Sequence, residues 1–110
     1  METPVPMRYP TFMDRSHAIA RLQEQADTVR GMGATALFLF GSTARDAAST
    51  ASDLDLFIDY DQASRFNAFD LIGIKLFLET QLSIPVDITT RDGLHPVLKS
   101  GIEQSAVQVF

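Results

Sequence analysis

The sequence predicts an α/β layer fold with a small sheet of three to four strands packed against helices. Three observations carry this. Apolar residues recur at spacings of three and four in two long stretches. Short apolar or alternating runs lie between and after them. Glycine, proline and small polar residues punctuate the junctions. The 110 residues suit one domain, and an apolar content of 45% is enough for a hydrophobic core.

The elements follow in order. Pro4, Pro6 and Pro10 discourage helix and central strand, so residues 1–11 are expected as an extended tail and residues 12–110 as the domain. Asp14 to Arg30 reads as one helix with Ile19, Leu22, Ala26 and Val29 as its apolar stripe, stopped by Gly31 and Gly33. Ala36 to Phe40 is a continuous apolar run, as in a strand buried on both faces. Gly41 and Ser42 end it, with Ser42 placed to cap a short helix from Thr43 to Ala48, and a loop to Ser52 follows. Ser52 to Asp59 alternates: Leu54, Leu56 and Ile58 point one way, and Asp53, Asp55, Phe57 and Asp59 the other. Phe66 to Leu82 reads as a second long helix with Phe69, Ile72, Leu76 and Phe77 near one face. Ile84 to Thr89 is a third strand, with Pro85 at its start where a missing N–H is tolerated. Pro96 suits the first turn of a last helix reaching about Gln104, and Ala106 to Phe110 suits a short final strand.

Composition narrows the function. With no cysteine, a disulfide framework and a thiolate metal site are both excluded. The first residues do not read as a secretory signal, and the run Ala36 to Phe40 is far too short to cross a membrane, so a soluble cytoplasmic protein is expected. A net charge of −5 argues against a domain that grips nucleic acid through its phosphates.

The chemistry concentrates in three places. On a strand, Asp53 and Asp55 share a face with Cα atoms about 7 Å apart. Carboxylates so placed can converge on a hard divalent cation such as Mg²⁺, which takes one or two carboxylates plus substrate phosphates. The alternative is a pair of surface residues, but strands disfavour aspartate, so two on one strand need a reason. Directly upstream, Gly41 lets backbone approach a phosphate closely, and a helix N-terminus offers it free N–H groups. The Ser42 hydroxyl can donate to the same phosphate, and Arg45, one turn on, can reach it; their plainer readings are a helix cap and a solvated surface arginine. Asp87, flanked by Val86 and Ile88, is the third piece: it is a metal ligand or proton acceptor, or else an exposed edge-strand residue. Phe57 shares the acidic face and could touch a nucleotide. Phe66, Phe69 and Phe77 suit core or a partner interface. His17 and His95 make no convincing site.

Gly41-Ser42, ten residues, then Asp53-x-Asp55 resembles the signature of the DNA polymerase beta-like nucleotidyltransferases. More narrowly, the chain is similar to the minimal nucleotidyltransferases, or MNT proteins. The likeness runs from about Ser16 through Gly41-Ser42-Thr43-Ala44-Arg45, Ser52-Asp53-Leu54-Asp55-Leu56, Leu71 to Leu76, Val86-Asp87-Ile88 and the closing Leu94-His95-Pro96-Val97-Leu98. The resemblance implies a small nucleotidyltransferase fold with a mixed sheet. It implies that Asp53, Asp55 and Asp87 hold Mg²⁺, as two ions, and that Gly41, Ser42 and Arg45 bind the triphosphate. It implies transfer of AMP from ATP to a tyrosine of a HEPN-domain toxin, for which the protein is the antitoxin. One departure is Asp46, where relatives often carry glycine or a basic residue; a negative charge there weakens ATP binding unless it points to solvent. A chain of this length leaves no room for a separate substrate domain, so the acceptor is expected to dock on the catalytic domain itself. Two other functions stay open: an antitoxin that neutralises by covering, and an enzyme acting on a small molecule such as an antibiotic. The latter predicts an added substrate domain or a cleft in a homo-oligomer.

Overall fold

The structure, a computed structural model, describes residues 14–45 and 53–110. The expected tail 1–11, Asp46, and the stretch that carries the predicted end of the short helix and the loop to Ser52 lie outside the described residues.

β1 is Ala34–Phe40. Leu37 and Leu39 are wholly buried, in a core shared with Ala18, Leu22 and Val29 from the first helices and Ile74, Leu78 and Leu82 from the long one. The run is therefore not buried alike on both faces. Phe38 and Phe40, on the other side, are half-buried. They lie against Phe57 of the neighbouring strand, Phe38 stacked with ring centroids 4.7 Å apart and Phe40 tilted at 5.8 Å. A continuous apolar run cannot distinguish a helix-covered face from one covered by rings.

β2, Leu54–Tyr60, keeps the predicted alternation, with Leu54, Leu56 and Ile58 in the core. It pairs antiparallel with β1 and parallel with β3, Val86–Thr90. β4, Val107–Gln108, pairs antiparallel with β1. The sheet is mixed, four-stranded and ordered β3-β2-β1-β4.

The first helical stretch is two helices, α1 Arg15–Gln23 and α2 Ala26–Gly31. Asp14 caps α1 by accepting from the His17 amide at 2.8 Å. At the break, the Gln25 amide turns to Leu22 O at 3.0 Å, one residue tighter than an α-helical bond. Gln23-Glu24-Gln25 holds no apolar side chain to pin that turn to the core. Leu22 and Val29 stay buried on either side of it, so the predicted stripe survives the break.

α4 is Ala68–Leu82, opened by a capping box. Asn67 Oδ1 accepts from the Phe69 amide at 2.8 Å, and Asp70 Oδ2 accepts from the Asn67 amide at 2.9 Å. Asn67→Ala should cost about 1 kcal/mol, read as a lower urea midpoint at unchanged slope. The buried face is Ile74, Leu78 and Leu82, not the predicted one. Phe69 is 83% exposed, Ile72 49% and Leu76 57%, while Phe77 is half-buried against the core. Leu71, Ile72, Ile74, Leu76, Phe77 and Leu78 run nearly round the helix, so spacing alone cannot choose its inner side.

Ser83, in the left-handed region at φ 56°, ends α4. Glu79 then ties the helix to β3, its Oε2 accepting from the Val86 amide and from Lys75 Nζ, each at 2.9 Å. The Val86 amide first, and Lys75 second, hold the Glu79 carboxyl below its ordinary pKa. A 3₁₀ turn, Arg91–Gly93, follows β3. The last helix, α5, is Lys99–Ser105. Pro96 thus lies in the turn before α5 rather than in its first turn.

Candidate active site

α3 is the short helix Gly41–Ala44 directly after β1. It starts earlier than predicted: Phe40 occupies the cap position, so Ser42 sits inside the first turn rather than capping it. Gly41 has φ 75°, a conformation that L side chains rarely adopt. A Cβ built there would run into the Asp55 carboxylate. Glycine is thus required both by the backbone and by the closeness of the acid.

Strand pairing brings the acids together. Phe40 lies opposite Asp55, so the Gly41-Ser42 turn stands at the end of the sheet where β2 begins. Across the parallel ladder, Asp55 lies opposite Asp87. Asp53 precedes Asp55 by two positions and shares its face. Asp53 and Asp87 are exposed and Asp55 is half-buried. Asp87 is also on an edge strand, so the plain reading of its position and the chemical one describe the same place.

Electrostatics mark Asp55 as the centre of this group. Its carboxyl is pushed above its ordinary pKa by burial first, then by the charges of Asp87 and Asp53, against an opposing pull from Arg45. Arg45 itself is exposed. Among the described residues no three acidic or imidazole groups are gathered closely enough to make a ready cage for a metal ion. The donor set still suits Mg²⁺, which accepts hard oxygen ligands and completes its shell with water and phosphate. A divalent cation would also relieve the repulsion that raises the Asp55 pKa.

A fourth acid on this face of the sheet, Asp59, is spoken for. Arg91 donates to both Asp59 oxygens, Nε at 2.8 Å and Nη2 at 2.9 Å, and through Nη1 to Glu103 at 2.9 Å. These bonds hold the guanidinium above its ordinary pKa, Asp59 first and Glu103 second. Arg91 also lies over Phe38 at 4.8 Å and Phe57 at 5.1 Å. Phe57 is 1% exposed beneath this cover and has no surface for a nucleotide, contrary to the sequence expectation. The network was not foreseen. The parity of Asp59 was legible, but its partner comes from a turn after another strand. Arg91→Ala should cost about 1–2 kcal/mol, since it removes partly exposed ion pairs and the lid over two rings. Urea denaturation would measure it, with Arg91→Lys intermediate.

Comparison with known proteins agrees with the sheet and with a nucleotidyltransferase. The family model for the nucleotidyltransferase domain matches residues 22–109. A Methanocaldococcus jannaschii protein provisionally named as a protein adenylyltransferase is 35% identical over 72 residues, covering 66% of this chain and 75% of its own. A solved structure provisionally described as a minimal nucleotidyltransferase superposes with a TM-score of 0.73 at 33% identity, over 86% of this chain and 95% of that one. The same fold, at 16% identity and a TM-score of 0.60, occurs in a complex of an MNT antitoxin with a tri-AMPylated HEPN toxin of Shewanella oneidensis; the match covers 84% of this chain and 71% of that one.

Proposed function

The chain belongs to the nucleotidyltransferase domain family and is a transferase, and on that premise we propose that it moves AMP from ATP to a tyrosine of a HEPN-domain toxin and so acts as its antitoxin. The observation that carries this is the lateral pairing of Asp55 with Asp87, with Asp53 on the same face and Gly41 against Asp55. That arrangement supports a site for a triphosphate and its metal. The acceptor rests on the toxin–antitoxin complex that shares the fold.

In this reading Asp53, Asp55 and Asp87 would hold Mg²⁺, as one or two ions. Bound there, the metal supplies Lewis-acid stabilisation of the charge on the phosphate oxygens. Gly41, Ser42 and Arg45 bind the β- and γ-phosphates. The tyrosine oxygen attacks the α-phosphorus, the bond to the β-phosphate oxygen breaks, and pyrophosphate leaves. Asp87, exposed and opposite Asp55, takes the phenolic proton. The proposed setting is the cytoplasm; among the described residues no helix is long and apolar enough to cross a membrane.

The test uses Mg²⁺, the purified protein, a HEPN-domain partner and ATP labelled at either the α- or the γ-phosphate. The expected result is α-label on a tyrosine of the partner and no γ-label. Neutralisation of the toxin without any label would replace catalysis with simple covering.

A further inference from the structure

Strand pairing sets three side chains in one row across the acidic end of the sheet. Asp87 on β3 lies opposite Asp55 on β2, and Asp55 lies opposite Phe40 on β1. Opposed side chains on neighbouring strands share a face, with Cβ atoms about 5 Å apart. Phe40 keeps extended backbone, at φ −137° and ψ −171°, so its ring stays on that face although α3 begins at the next residue. The ring therefore stands beside the central acid and directly before Gly41.

The aromatic cluster on this face is covered at one end only. Phe38 and Phe57 stack nearly flat, and Arg91 lies over both. Phe40 meets Phe57 at a tilt of 45°, with centroids 5.8 Å apart. Among the described residues no cation lies over Phe40, and it is half-buried where Phe57 is buried. A ring left partly open beside a phosphate turn offers its π-face to a second flat ring.

The proposed transfer brings two flat rings to this site, the acceptor phenol and the adenine. The phenol comes in on the Asp87 side, where its proton goes. The triphosphate lies against the Gly41-Ser42 turn, so the β1 side of Asp55 is left to the nucleotide. We propose that Phe40 is the platform on which the adenine of ATP stacks. The inference rests on the transferase reading above and adds a base subsite to the same site.

The experiment titrates the full chain, followed by NMR, with Mg²⁺ and an ATP analogue that cannot be cleaved. A parallel titration uses Mg²⁺ and tripolyphosphate, which has the phosphates and no base. The expected result is that both ligands shift the Gly41 and Asp55 amide signals, and that the adenine protons of the analogue give Overhauser contacts to the Phe40 ring. Phe40→Leu should weaken the analogue about tenfold and tripolyphosphate by about twofold at most, since base–aromatic stacking is the only interaction removed. Phe40→Tyr, which keeps the ring, should restore the affinity. Amide shifts without adenine contacts to Phe40, or an equal loss of both ligands in Phe40→Leu, would overturn the stacking and leave the transferase reading in place. An analogue that leaves the amides at the acidic end unmoved would defeat both readings.

Discussion

Asp55→Asn is expected to abolish transfer and yet raise the melting temperature. The two effects have one cause. Burial and the charges of Asp87 and Asp53 raise the Asp55 pKa in the folded protein, so the folded state disfavours its ionised form. A carboxyl with a raised folded pKa costs no stability below its unfolded pKa, where it is protonated in both states. The cost appears as pH rises through the folded pKa and is complete above it. Asparagine carries no charge to penalise. The gain in melting temperature should therefore be largest at neutral pH and should fade as pH drops towards the unfolded carboxylate value. Transfer should fall by about 10²–10³-fold or more, as when one preorganised group at a charge-developing centre is lost. Added Mg²⁺ with ATP should raise the melting temperature of the wild-type protein and leave Asp55→Asn nearly unmoved, since a ligand stabilises only the form that binds it. Thermal melts across pH, beside label-transfer rates, would check all of this.

Gly41→Ala should be the most damaging change that removes no functional group. Its φ of 75° makes any side chain costly, by about 1–2 kcal/mol. The added Cβ would also meet the Asp55 carboxylate. The carboxylate oxygen can swing aside, but the Asp55 Cβ, 3.1 Å from the added atom, moves only with its backbone, so β2 must yield by a few tenths of an ångström. The displacement is then paid in chemistry. Shifts of about 1 Å in a reacting constellation cost about 10²-fold in rate. Gly41→Ala is thus expected to fold, with a modestly lower urea midpoint and a rate loss far beyond what that instability explains. A rate loss no larger than the unfolded fraction would place Gly41 in the scaffold alone.

Much of this was legible in the residues because strands have a strict period of two. Asp53 and Asp55 fall on the face opposite Leu54, Leu56 and Ile58 in the sequence and in the fold alike. The glycine turn after the first strand was equally visible. What sequence could not supply was register: that Asp87 lies opposite Asp55, or that Arg91 reaches back to Asp59, depends on pairings between distant segments. Helix faces were the weakest reading. In α4 apolar residues lie nearly all round, and the sheet chose Ile74, Leu78 and Leu82 over Phe69, Ile72 and Leu76. The break at Gln25 left no mark in the apolar spacing, because Leu22 and Val29 are buried on both sides of it.

The most direct test of the central claim is uptake of Mn²⁺, followed by electron paramagnetic resonance, in the presence and absence of an ATP analogue that cannot be cleaved. Mn²⁺ reports on sites built for Mg²⁺ because both favour carboxylate and phosphate oxygens. The account predicts that the wild-type protein takes up the ion with the nucleotide, and that an Asp53→Asn/Asp55→Asn double variant, still folded, does not. Equal uptake by both proteins would contradict it, since the acidic end of the sheet would then not be where metal and nucleotide meet.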